Sequence, residues 1–135
     1  MKASSLSFQA AVLLVLLGMV WGIVMAVSQD HSSMPAHAHL NLLGGVSLFL
    51  FGIFYHLHPA VDGSRVAMAQ VCIWIAATLV LTVGVALVHS GHSIGEPIAG
   101  VGSVVVFADM VLFGRIVRRT MHSGRVIQPS VVPAE

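Results

Sequence analysis

The sequence predicts an all-α integral membrane protein, a four-helix up-down bundle with both termini in the cytoplasm. Three observations carry that expectation. Of 135 residues, 57% are hydrophobic and only 8% are Asp, Glu, Lys or Arg, and the mean hydropathy is +0.96. Four apolar runs each approach or exceed the roughly 20 residues that a membrane-spanning helix needs. All six Lys and Arg fall at the termini or in one shared loop. Soluble domains carry about 25% charged residues, so this composition excludes a soluble enzyme and a disordered chain. Six basic residues cannot track a phosphate backbone, which excludes nucleic acid as a partner. A single cysteine excludes a disulfide framework and a Cys-based zinc or iron–sulfur site.

The spans are expected at about 8–27, 37–57, 67–88 and 97–117, separated by SQDHSSMPA, HPAVDGSR and HSGHSIGE. Backbone in lipid must close its own hydrogen bonds, so each run is helical. Connections this short make neighbouring helices antiparallel. Lys2, Arg65, Arg115, Arg118, Arg119 and Arg125 then share one side, while the other two loops hold Asp30 and Glu96 and no base. Positive charge stays inside, which places both termini in the cytoplasm, and the expected location is a bacterial-type inner membrane. The rival reading of the first run is a cleaved signal peptide ending near Ala26. Its apolar stretch exceeds the 7–15 residues of a signal core, so an uncleaved helix is expected. Residues 1–119 form one transmembrane domain, and 120–135, with Pro129 and Pro133, a poorly ordered cytoplasmic tail.

Orientation sorts the eight histidines by depth. His31, His37, His39, His89 and His92 fall at the outer side, His56 and His58 at the inner end of the second span, and His122 in the tail. Imidazoles are costly in lipid, so a cluster is a candidate site. His37 and His39 project roughly 200° apart around a helix and serve different centres. His89 and His92, three apart, share a face if helical and are candidate metal ligands. No thiolate, and no carboxylate except Asp30 and Glu96 in the loops, joins the set, so it suits heme iron or copper better than zinc. The plainer reading of any single one is a helix cap or headgroup contact.

The stretch His37-Ala-His39-Leu-Asn41-Leu42-Leu-Gly44, with Tyr55-His-Leu-His-Pro59 after it, resembles the ligand-bearing helices of the heme–copper oxidase superfamily, including the large subunit of nitric oxide reductases. It is also similar to small four-span, cytochrome-oxidase-like proteins. Where relatives carry an aromatic residue after the motif's glycine, this chain has Gly45. The resemblance implies one four-helix arc of a twelve-helix subunit, and hence a homotrimer. It implies His39 as axial ligand of a b-type heme and His37 as ligand of a second group across a subunit contact. His89 and His92 become partner ligands for heme or copper. The implied activity is reduction of dioxygen or nitric oxide, or electron transfer, with an electron donor the sequence does not identify. The alternatives are a non-catalytic heme or copper carrier or sensor, and a cofactor-free assembly factor.

Asp109 lies inside the fourth span. One expectation is a proton path with Thr78 and Ser47, which helix counting places at similar depth. The other is a structural hydrogen-bond cluster, or an ion pair with Arg115. Gly18-Met-Val-Trp-Gly22 is a GxxxG suited to close helix approach. Trp21 and Trp74 are interface anchors or packing residues, and Cys72 a small apolar packer.

Overall fold

A computed structural model describes residues 1–124, and every regular element in them is helical. Four helices are long and apolar enough to cross a membrane, the pattern of a multi-pass membrane protein: α1 (Ala3–Ser28), α2 (Met34–Leu57), α3 (Arg65–His89) and α4 (Gly95–Gly124). A single helical turn, Pro59–Asp62, sits between α2 and α3. Their outward faces are apolar, as Leu13, Leu16, Leu17, Val20 and Ile23 of α1 illustrate. Such faces suit lipid.

The helices begin earlier than their apolar runs, for local chemical reasons. The start of α1 is capped from a distance: the Ser4 backbone N–H and hydroxyl donate to the buried Asp62 carboxylate at 2.7 and 2.8 Å. Pro35 in the first turn of α2 needs no amide partner there. The Ser64 hydroxyl caps α3 by accepting from the Ala67 N–H at 3.1 Å. At the other end of the chain, α4 continues through residues 120–124, where the sequence suggests tail. Residues 125–135 lie outside the described residues.

Glycines set the closest approaches. Gly18 faces Asn41, Gly22 faces His37, Gly44 faces Leu14 and Gly52 faces Phe8, so numbers rise along α1 as they fall along α2. The GxxxG thus works inside the chain, clearing room for the His37 and Asn41 side chains. On α3, a Cβ at Gly84 would collide with the backbone of Ala99, and one at Gly102 with that of Leu81. Backbone cannot swing aside as a side chain can. Gly84→Val is therefore expected to cost about 2–3 kcal/mol by forcing α3 and α4 apart. Thermal unfolding in detergent checks this, and parental stability would contradict it.

Helix α2 is not uniform. An α-helical start (Met34–His39) passes into a π-helical segment (Leu40–Ser47) and back to α-helix (Leu48–Leu57). Below that segment Phe51 packs edge-on against Trp74 of α3, centroids 4.9 Å apart, and meets Phe113 of α4 at 4.3 Å. These rings, with Leu48, Tyr55 and Val71, form the buried centre.

Candidate functional site

Two polar constellations stand in this apolar frame. The first is a buried chain across three helices. The Tyr55 hydroxyl of α2 donates to Gln70 Oε1 of α3 at 2.8 Å, and Gln70 Nε2 donates to Asp109 Oδ2 of α4 at 2.8 Å. All three side chains are buried, and Asp109 Oδ1 has no protein partner. Asp109 thus belongs to a hydrogen-bond cluster, and no ion pair joins it to Arg115. The expected partners of a proton path are not bonded to it. Thr78 Oγ1 is buried without a partner, and the Ser47 hydroxyl donates to the Leu42 carbonyl of its own helix at 3.1 Å. Gln70 escaped the sequence reading, which took Tyr55 only as part of the stretch resembling oxidase helices. The available signal was the one amide side chain in a 25-residue, mostly apolar helix.

The second constellation is a cavity of about 530 Å³ between α2, α3 and α4, bordered by His39, Leu42, Trp74, Phe107 and Met110 among others. Its α4 wall runs from Ser103 to Met110, N-terminal to the Phe113 ring that meets Phe51 and Phe54 of α2. His39 Nδ1 lies 2.7 Å from the Pro35 carbonyl. A carbonyl only accepts, so Nδ1 carries the proton and Nε2 is left with its lone pair. His58, His89 and His122 make the same bond to the carbonyl four residues back. That bond is therefore a helical habit of these side chains, and what distinguishes His39 is the cavity beside it.

His37 is on another side of the helix. Its ring packs over Gly22 of α1, and the Asn41 amide nitrogen is 3.3 and 3.4 Å from its two ring nitrogens. The Asn41 amide also donates to the His37 carbonyl at 2.9 Å. His37 thus meets α1, whereas His39 borders the cavity between α2, α3 and α4. Nearby, the Trp21 indole N–H donates to the Ser33 hydroxyl at 3.0 Å, tying the loop before α2 to α1. In that loop the Ser32 backbone N–H donates to Asp30 and holds its carboxylate below the ordinary range.

His89 and His92 are both exposed, His89 at the end of α3 and His92 beyond it. Among the described residues no group of three or more His, Cys, Asp or Glu side chains converges on a point that would hold a metal ion. The donor set here does not fit a three-histidine copper centre. It does fit axial ligation of a macrocycle at His39: one free imidazole nitrogen, aromatic walls and low polarity. The cavity lining has no Lys or Arg, so a macrocycle's carboxylates would have to reach toward the aqueous loops. Comparison with family models, curated proteins and solved structures finds no match.

Proposed function

We propose that the chain is a membrane heme protein in which His39 is the axial ligand of a b-type heme seated between α2, α3 and α4. The observation that carries this reading is an imidazole with its Nε2 free beside an apolar groove of about 530 Å³, open on one side, between three helices. The resemblance of residues 37–44 to oxidase ligand helices supports it independently. The bundle is read as up-down, with both termini on the cytoplasmic side of a bacterial-type inner membrane, because every Lys and Arg then faces inward.

The Pro35 carbonyl fixes the His39 tautomer and makes Nε2 a stronger donor to iron. The apolar lining excludes water. Bound there, heme would supply a one-electron centre and a site for a diatomic such as dioxygen or nitric oxide. His37 faces α1, so any group it ligates is a different one. A homotrimer would cover the open side of the cavity. A second reading, electron carriage or sensing without turnover, is favoured by the lack of a three-ligand metal group among the described residues.

The test is an absorption and EPR spectrum, with metal analysis, of protein purified from heme-supplemented cells. A Soret band with one heme per chain is expected. A colourless protein overturns the reading and leaves the assembly-factor role. Dioxygen or nitric oxide consumption separates oxidase from carrier.

A further inference from the structure

The π-helical segment of α2 begins immediately after His39 and runs for 8 residues, Leu40–Ser47. Such segments are rare and local, and need a cause. There is no proline in this one to break the α-helical ladder. Gly44 and Gly45 weaken α-helix preference without selecting a π turn. Within the segment the Ser47 hydroxyl donates to the Leu42 carbonyl at 3.1 Å, and the bond that comes from another helix is at the Leu43 carbonyl, which accepts from the Trp74 indole N–H of α3 at 2.9 Å. A carbonyl drawn to a neighbouring helix tilts off its own axis, and the wider π turn accommodates that tilt.

The consequence falls on direction. One extra residue in a turn rotates everything N-terminal to it by about 100° relative to an uninterrupted α-helix. His37, His39 and Asn41 lie at or beyond that point, whereas Phe51 and Tyr55 lie below it. With the π turn in place, Asn41 meets Gly18, His37 meets Gly22, and His39 borders the cavity. The Trp74 ring is wholly buried and held edge-on by Phe51, so its position does not depend on its own N–H.

We propose that Trp74 is the positioning residue for His39: its indole N–H, held by the Leu43 carbonyl, maintains the π turn that aims the imidazole into the cavity. Its bearing on ligation rests on the heme reading, but the rotation itself does not. The test uses the full-length chain in lipid vesicles, with Cys72→Ser, Gly18→Cys and Asn41→Cys. Oxidation should join the two cysteines, read as protection from a thiol-reactive polymer. Trp74→Phe keeps an aromatic ring and removes the N–H. It should lower the cross-linked fraction, by up to about tenfold for loss of one buried hydrogen bond. In heme-loaded protein with the native cysteine, Gly18 and Asn41, it should also shift the axial-ligand EPR signature.

Unchanged cross-linking in Trp74→Phe overturns the inference even if heme binds. If the parent binds no heme, the functional reading fails and cross-linking alone decides this one. Should Trp74→Phe not fold, benzothienylalanine at position 74 in a Trp21→Phe background keeps the indole shape without the N–H. The same two outcomes then apply.

Discussion

Gln70→Leu is expected to destabilise the protein by about 1–3 kcal/mol, the range for leaving a buried polar group without its partner. Among the described residues Gln70 alone links the Tyr55 hydroxyl to the Asp109 carboxyl, and both of those groups are buried. Leucine is similar in size, so the loss comes from two polar groups left without partners, not from a cavity. Neutral hydrogen bonds between membrane helices average only about 0.6 kcal/mol. Tyr55→Phe should accordingly cost about 1 kcal/mol or less. The greater part of the Gln70 effect then belongs to Asp109. Combining Tyr55→Phe, Gln70→Leu and Asp109→Leu should recover most of the loss, because no orphaned group remains. Denaturant unfolding in mixed micelles measures all three. A Gln70→Leu protein as stable as the parent would show that the chain of bonds is not maintained in the micelle-embedded protein.

His39→Ala is expected to abolish the Soret band, while His37→Ala leaves it in place. The two residues are two apart in sequence, yet only His39 borders the cavity, and His37 packs on Gly22. Removing the ligand and enlarging an apolar pocket leaves a macrocycle no protein bond to iron. Adding imidazole to His39→Gly should restore part of the band, since a free ligand can occupy the vacated volume. Full heme retention in His39→Ala would dismiss His39 as the ligand. Loss of heme in His37→Ala with unchanged stability would move the site to the α1–α2 contact. Stability is measured in parallel, because His37 is part of that contact.

Much of the fold is legible in composition and spacing. Four apolar runs separated by short polar stretches predict four helices, and the helices are there with ends displaced outward. The displacements have causes a hydropathy profile does not sense. Asp62 caps α1 from more than fifty residues away, and Ser64 caps α3 locally. Legibility is lower at the site. Helical periodicity places His37 and His39 on different sides of α2, and that survives because it depends only on neighbouring residues. It cannot say which of the two borders a cavity, because the cavity is walled by residues of three helices, α2, α3 and α4. The pairing of Asp109 with Gln70, rather than with Ser47 or Thr78, was equally out of reach. Depth along a helix can be counted, but rotation about its axis depends on what packs against it.

Sequence alone determined that this is a helical membrane chain with most of its histidines toward one end of the helices. Those properties follow from side-chain hydrophobicity and from backbone groups that must pair within each span. Tertiary structure decided which histidine borders the cavity, which carboxyl is bonded to which amide, and where α2 adopts the wider π turn. Each of those depends on one helix offering a group to another: an indole N–H to Leu43, an amide to Asp109, a glycine surface to His37. Contacts between residues far apart in the chain set them, and local periodicity carries no record of such contacts.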